Sequence, residues 1–247
     1  MISSRRRHSL ERLAIVQWTA RIGAVTAEAL AHREGCAVAS ARARLLAAER
    51  ALLLTRRRPL AGQPSLYTAT RAGLRAAGLS GLDPCRISPA NARHAIVCAR
   101  VAAVLEHAYP DHHVMGEREL RRAERERSAA LASAHLGAGP DGAPLLHRPD
   151  LVLWPPDSGP RRLPTAVEVE LTVKAPRRLL AICRAWARCR CVAGVLYLAT
   201  PEVRRPLGRA IAGAQAGDRI ALVALAALEE LGTAQRAPAE RTVPGDA

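Results

Sequence analysis

Apolar residues recur at helical spacing through the beginning of the chain. Leu10, Leu13 and Ile22 follow this spacing and predict a first helix, because residues three or four apart share one helical face. A second helix is predicted to begin after Thr26, and a third to run from about Val38 to Ala51. Two helices joined by a short glycine-containing turn are typical of a helix-turn-helix.

A β-hairpin is predicted directly after the third helix. Leu52–Thr55 is expected to form one strand and Ser65–Ala69 the return strand. The intervening segment 56–64 is polar and rich in residues that break regular structure, so it is expected to form the tip. It begins with three cations, called the hairpin arginines below: Arg56, Arg57 and Arg58. Together with the helices, this hairpin predicts a winged helix-turn-helix over residues 8–80.

Helices and strands alternate in the rest of the chain. We expect a linker over residues 81–90, an α/β domain over 91–232, and a disordered tail over 233–247 that contains mainly Ala, Pro and charged residues. The predicted strands are Val114–Met115, Leu151–Trp154, Ala166–Val173, Val192–Leu198 and Ile220–Ala224. The predicted helices are Asn91–His107, Pro176–Arg188 and Arg204–Ala214. Residues 117–133 fit either a helix or an exposed arm, and residues 137–144 are expected to form a loop.

The charge balance points to a polyanionic partner. The chain has 37 basic and 22 acidic residues, which give a net charge of +15. Contacts to phosphates supply most of the affinity in nucleic-acid binding, so double-stranded DNA is the expected partner. The alternative is that a GC-rich genome, indicated by abundant Ala and Arg, placed arginine on every surface. No apolar stretch is long enough to span a membrane, and the basic N-terminus lacks the apolar segment of a signal peptide.

The six cysteines form no C-x-x-C pair and fit no zinc-binding spacing. We therefore expect free thiols and a cytoplasmic protein, because the cytoplasm keeps thiols reduced. A metal site at Cys183, Cys189 and Cys191 is the weaker alternative. Cys183 falls in a predicted helix, whereas the other two lie at the start of a predicted strand.

The third helix is expected to enter the major groove of DNA. Leu45 and Ala48 occupy its apolar side, which leaves Ser40, Arg42 and Arg44 to face the duplex. The hairpin arginines are expected to contact phosphates or the minor groove, since adjacent cations at a hairpin tip have no packing role. A merely solvated turn is the alternative interpretation of the hairpin arginines.

Acidic residues cluster on two neighbouring predicted strands. Asp150 begins one strand, and Glu168 and Glu170 lie on the next. Because strand side chains alternate between faces, Glu168, Glu170, Thr172 and Lys174 are expected to share one face. Three carboxylates and an ammonium would then converge at one end of the sheet, as phosphodiester cleavage with Mg²⁺ or Mn²⁺ requires. The alternative is the solvated face of an edge strand.

Lys174 is the only lysine of the chain, and the other 36 residues counted as Lys or Arg are arginine. A desolvated lysine can lose its proton and help to orient or deprotonate a metal-bound water, whereas arginine stays charged. The alternative is that a single lysine falls here by chance. His147, three residues before Asp150, is another candidate for phosphate contact, although a histidine in a loop more often has no functional role.

Asp150, Glu168 and Lys174 resemble the PD-(D/E)XK motif of restriction-type nucleases, although strict spacing would place the lysine at position 170. The whole architecture resembles the replication-relaxation family of actinobacterial plasmids and mobile elements, over about residues 8–225. The segments that carry this resemblance are Leu66–Leu74 and Ala166–Thr172.

The resemblance implies a winged helix-turn-helix followed by a restriction-endonuclease-like α/β core. It implies a metal held by Asp150 and Glu168 with one further acid, for which Glu117 is the first candidate and Glu119 the second. The catalytic set would be Asp150, Glu168, Glu170 and Lys174, acting as a metal-dependent DNA endonuclease in plasmid or mobile-element replication. The alternative function is a non-catalytic regulator of replication or transcription with a relic nuclease fold. A homodimer is compatible with either function.

Overall fold

The structure is a computed structural model that describes residues 2–140, 142–156 and 163–228. The tail predicted over residues 233–247 lies outside this described part. Helices and strands alternate as expected, so the predicted α/β class is confirmed. Among the described helices, none is both long enough and apolar enough to cross a membrane.

The first unit consists of helices followed by a hairpin. Its elements are α1 (Ile2–Ile22), α2 (Ala27–Glu34), α3 (Val38–Arg50), β1 (Leu54–Arg57), β2 (Leu66–Ala69) and α4 (Arg71–Ala76). The three predicted helices are confirmed. The Thr26 hydroxyl caps α2 by accepting a hydrogen bond from the Ala29 N–H at 3.1 Å. Leu45 and Ala48 of α3 are buried, as predicted.

The first strand of the hairpin lies later in the chain than predicted. It begins at Leu54 rather than Leu52, because Leu52 adopts a left-handed backbone conformation (φ 58°) just after α3. Arg56 and Arg57 therefore belong to β1, and the prediction that they lie in the tip is wrong. Only Arg58 among the hairpin arginines follows the strand.

Backbone contacts hold the hairpin against the helices. In the turn between α1 and α2, the Val25 N–H donates to the Tyr67 carbonyl at 3.0 Å, and the Tyr67 N–H donates back at 2.9 Å. Thr70 caps α4 by accepting a hydrogen bond from the Gly73 N–H at 2.9 Å. A Cβ at Gly73 would lie 2.1 Å from the carbonyl oxygen of Leu53, the residue before β1, so only glycine permits α4 to approach this segment so closely.

The second unit is a mixed sheet with helices on both faces. Its elements are α5 (Pro89–Ala108), β3 (His113–Gly116), α6 (Glu117–Arg127), β4 (Ala134–Ala138), β5 (Pro144–His147), β6 (Leu151–Trp154), β7 (Thr165–Glu170), α7 (Pro176–Arg188), β8 (Gly194–Ala199), α8 (Pro201–Gly213) and β9 (Ile220–Ala224). The sheet order is β3-β6-β7-β8-β9, with β3, β6 and β7 antiparallel and β7, β8 and β9 parallel. α5 packs on one face, and α7 and α8 pack on the other.

The segments between β3 and β6 were predicted less well than the rest of the second unit. β4 (Ala134–Ala138) and β5 (Pro144–His147) pair with each other and include residues of the segment 137–144, which was predicted to be a loop. The pairing shifts register between His135 and Gly137, which interrupts the alternation that marks a strand in sequence. Residues 117–127 form a helix, so the exposed arm considered for this segment is wrong.

Strand β7 is shorter than predicted at its C-terminal end. It ends at Glu170, because the chain must leave the sheet before α7 begins at Pro176. Thr172 and Lys174 therefore lie in the connection between β7 and α7. The prediction that both share a strand face with Glu168 and Glu170 is wrong.

Helix α5 joins the two units. Ala99 and Ala103 pack among the apolar residues of the first unit, while the opposite side of α5 covers the sheet. Glu106 of α5 accepts a hydrogen bond from the Trp18 indole N–H at 3.0 Å and forms an ion pair with Arg33. The first unit is therefore held in place on the second by both apolar and polar contacts.

A close backbone approach between the units gives a stability prediction. A Cβ at Gly116 would lie 2.4 Å from the Arg21 carbonyl oxygen at the end of α1. We expect Gly116→Ala to lower the free energy of unfolding by about 1–3 kcal/mol, the cost typical of overpacking. Gly208→Ala is the control, because its Cβ would meet only a Leu222 methyl at 4.0 Å. This control should be neutral or stabilising by up to about 1 kcal/mol in urea unfolding, and equal effects of both changes would contradict the prediction.

Candidate functional site

A groove of about 600 Å³ opens between α3 and the hairpin. Three arginines line it: Arg42, Arg56 and Arg58. Tyr67 of β2 forms part of its floor, and the rest of the wall consists of Ala27 and Glu28 of α2 and the hairpin tip, residues 60–65. The groove therefore combines a helix, a hairpin and several positive charges on one surface.

Acidic neighbours accompany two of these arginines without burying them. Arg42 Nη2 lies 3.8 Å from Glu28 Oε1, and the Arg42 side chain is 58% exposed. Arg56 Nε lies 3.6 Å from Glu49 Oε2 at the edge of the same groove. Ion pairs this exposed contribute little free energy, so a phosphate can replace the carboxylate as the partner of either arginine.

The other residues predicted to contact DNA lie in different surroundings. Ser40 is exposed on α3 but does not line the groove, since it lies two residues from Arg42 and therefore on a different face of the helix. Arg44 is turned toward α2, where it forms an ion pair with Glu34. Arg57 is exposed but does not line the groove, as expected from the alternation of side chains along β1. Arg58 Nε donates to the Ser65 hydroxyl at 3.1 Å, which orients it across the hairpin.

The second unit brings Asp150 and Glu168 together at one edge of the sheet. Leu151 pairs with Val167 in the antiparallel register, so Asp150, one residue earlier, lies beside Glu168. Asp150 Oδ2 accepts a hydrogen bond from the Val169 N–H at 2.8 Å. The register of β6 and β7 thus places the backbones of these two residues side by side.

The Glu168 carboxylate faces α7 and is 4% exposed. Its Oε1 accepts hydrogen bonds from Trp186 Nε1 at 3.2 Å and from His147 Nε2 at 2.7 Å. Burial raises the pKa of Glu168 above its usual range, against the opposing effect of the His147 ring. Burial also disfavours a charged His147, but the neighbouring carboxylate outweighs burial and raises the pKa of that ring. His147 therefore contacts Glu168 from the end of β5, whereas the sequence interpretation placed this histidine in a loop.

Glu170 and Lys174 form an ion pair with each other. The Glu170 residue is 5% exposed, whereas the Lys174 side chain is 30% exposed. The pair forms because the connection after β7 turns back over the end of the strand. Lys174 is thus close to the acidic cluster, but by a different route from the strand alternation assumed in the sequence argument.

A cavity of about 220 Å³ lies on the α5 side of Asp150. It is lined by Glu117, which the sequence argument placed near the metal, and by His94 and Cys98 of α5. Ligand atoms of His94, Cys98 and Asp150 all lie within 4.8 Å of one another. Glu119 faces away from this cavity, with its carboxylate 3.5 Å from Arg21 Nε.

His94 is the residue of this cavity that the sequence argument missed. Its Nε2 lies 3.4 Å from Asp150 Oδ2 and 3.1 Å from the Val169 carbonyl oxygen. The hydrogen bond to Asp150 is the main cause that raises the pKa of His94. The sequence signal was the pair His94 and Cys98, four residues apart and therefore on one face of α5.

The donors in the cavity decide which cation fits it. Asp150 and Glu117 offer oxygen, as Mg²⁺ prefers, but His94 offers nitrogen and Cys98 sulfur. Such a mixed set fits a divalent transition cation better than Mg²⁺, and of the two cations predicted only Mn²⁺ belongs to that class. Burial raises the pKa of Cys98 well above its ordinary value, so its thiol is neutral unless a cation displaces the proton.

The predicted metal ligands are therefore only partly brought together. Asp150 and Glu117 share the cavity with His94, whereas Glu168 takes its hydrogen bonds from the α7 side of the sheet.

Comparisons with known proteins found no relative: no protein-family model, curated protein or solved structure matches the chain.

Proposed function

We propose that this protein binds double-stranded DNA through α3 and the β1–β2 hairpin. The observation that carries the proposal is the groove between them, which Arg42, Arg56 and Arg58 line. An antiparallel β-bridge between Val25 and Tyr67 attaches the hairpin to the turn before α2. This attachment supports the interpretation of the hairpin as the wing of a winged helix-turn-helix. The net charge of +15 supports the same partner, because a strongly basic protein gains affinity from phosphate contacts.

The hairpin arginines provide the test of this proposal. Replacing all three by Gln should weaken binding to unrelated duplexes about equally, because phosphates are the same in every sequence. The slope of log affinity against log salt should fall by up to about 1 for each lost phosphate contact. The measurement is fluorescence anisotropy of labelled duplexes at several salt concentrations.

A matched control removes the same charge from the far side of the molecule. Three exposed arginines of α8 serve this purpose: Arg204, Arg205 and Arg209. α8 packs on the sheet face opposite α5, and α5 is the helix that carries the first unit. Equal loss of affinity in both triple variants would contradict the assignment of the hairpin.

The second proposal is metal-dependent hydrolysis of phosphodiesters at the Asp150 cavity. It rests on the convergence of Asp150, His94 and Cys98 within 4.8 Å, with Glu117 in the same cavity. A bound divalent cation would lower the pKa of a coordinated water and offset charge on a phosphate. The Val169 N–H and His94 orient the Asp150 carboxylate for this role. A restriction-endonuclease-like core is compatible with the order and directions of β3, β6, β7 and β8.

The ion pair between Lys174 and Glu170 favours a different candidate, a non-catalytic DNA-binding regulator. In that case Lys174 serves to neutralise a buried carboxylate, and the cavity is a relic of a nuclease site. Incubation of supercoiled plasmid with the protein and Mn²⁺ or Mg²⁺ separates the two, because only an active site nicks or linearises the plasmid. Cytoplasmic location and a part in plasmid or mobile-element replication, through the replication-relaxation resemblance, belong to both candidates.

A further inference from the structure

The loop between α7 and β8 holds two thiols that the proposed DNA-binding and cleavage functions do not use. The sulfur atoms of Cys189 and Cys191 lie 3.2 Å apart. A disulfide needs a separation of about 2.05 Å, so the two sulfur atoms must approach by little more than an ångström. The pair lies at the end of α7, where a loop rather than a strand or helix can accommodate this movement.

A cavity of about 310 Å³ gives small molecules access to the pair. Arg188, Arg190 and His135 line it together with both cysteines. The wall also contains Ser133, which is 1% exposed and whose hydroxyl has no hydrogen-bond partner among the described residues. The cavity thus presents two sulfur atoms and a free hydroxyl to a small polar guest.

Arg219 fixes the loop and increases the positive charge around it. Its guanidinium donates to the Cys189 carbonyl at 2.9 Å, to the Val192 carbonyl at 2.8 Å and to the Ala193 carbonyl at 3.0 Å. The hydrogen bond with Cys191, helped by the charge of Arg219 and opposed by burial, lowers the pKa of Cys189 to about 6. By contrast, burial raises the pKa of Cys183 on α7 to about 11. Cys189 is therefore the thiolate nucleophile of the pair.

We propose that Cys189 and Cys191 form a peroxide-reactive dithiol that closes to a disulfide. The Cys189 thiolate attacks one oxygen of hydrogen peroxide, the S–O bond forms, the O–O bond breaks, and hydroxide leaves. Cys191 then attacks the Cys189 sulfenic sulfur, the S–S bond forms, and the S–O bond breaks. The sulfenic oxygen takes the Cys191 proton and leaves as water, and the proton released when the Cys189 thiol ionised neutralises the hydroxide of the first step. Two thiols and one peroxide give one disulfide and two waters, with two electrons passing to the peroxide.

The test treats the reduced full-length chain with stoichiometric hydrogen peroxide, alkylates the remaining thiols and measures the intact mass. We expect a mass loss of about 2 Da before alkylation and two fewer alkylated thiols than in the untreated chain. Cys191→Ser should stop at a Cys189 sulfenic acid that dimedone traps, and Cys189→Ser should abolish both products. Cys36→Ser is the control and should form the disulfide as the natural chain does.

A measurement on the unmodified chain covers the case in which a variant fails to fold. At neutral pH, iodoacetamide should label Cys189 at least about tenfold faster than Cys183, as peptide masses would show. Equal labelling rates, or peroxide treatment that leaves both loop thiols open to alkylation, would overturn the proposal. Oxidation that starts at Cys36 or Cys85 would overturn it as well.

Discussion

Reversing Arg42 and Arg56 to Glu should lower the affinity for duplex DNA by at least about tenfold at moderate salt. Both side chains line the groove between α3 and the hairpin, where a phosphate would replace Glu28 and Glu49 as their partners. Reversal places negative charge against the phosphate backbone and also removes two contacts. Anisotropy titration of a labelled duplex measures the loss.

The control for this double reversal is Arg204→Glu with Arg205→Glu on α8, which changes the net charge by the same amount. It should cost much less affinity, because α8 lies on the sheet face away from the first unit. Arg44→Glu should also have a smaller effect than Arg42→Glu, since Arg44 is engaged with Glu34. Equal losses in the α8 and groove variants would mean that binding reflects net charge alone.

Asp150→Ala should abolish metal-dependent cleavage of supercoiled plasmid while leaving duplex affinity unchanged within about twofold. Asp150 is the carboxylate that lies beside both Glu168 and the His94–Cys98 pair, so its loss removes an oxygen ligand from the cavity. DNA binding should persist, because the groove belongs to the first unit. Agarose gels of nicked and linear products measure the cleavage, and anisotropy measures the binding.

A control acid on the same helix as Glu117 makes this test specific. Glu126→Gln on α6 should leave cleavage intact, because Glu126 is exposed and pairs only with Arg122 among the described contacts.

Lys174→Ala distinguishes the two candidate functions of the second unit. Loss of cleavage with intact binding supports the catalytic role, whereas a protein that never cleaves, with or without Lys174, is the regulator.

Local signals in the sequence predicted much of the fold. Strands β6 and β9 have the predicted bounds, Leu151–Trp154 and Ile220–Ala224. β6 is a short apolar run between prolines, and β9 is an apolar run that follows a glycine-containing turn. Thr26 caps the helix that it was expected to cap. In contrast, β7 ends at Glu170 although the apolar alternation continues to Val173, because the chain uses residues 171–175 to leave the sheet before α7.

The residues of the candidate metal cavity were likewise only partly predictable from the sequence. Proximity of Asp150 to Glu168 followed from two adjacent strands, and Glu117 was expected from the family resemblance. His94 could not be placed, because its contact with Asp150 depends on the angle at which α5 crosses the sheet. The sequence also does not reveal that Glu168 faces Trp186 and His147. Tertiary packing therefore determined which acid faces the cavity.

Hydrogen–deuterium exchange of the full chain, with and without a saturating short duplex, tests DNA binding by the first unit most directly. We predict slower exchange in α3 and in the hairpin, residues 38–50 and 54–69, because DNA should cover the groove between them. Exchange in α8 should stay the same, since that helix lies on the far face of the sheet. An unchanged exchange rate in residues 38–69, together with slower exchange in the second unit, would contradict the proposed interface.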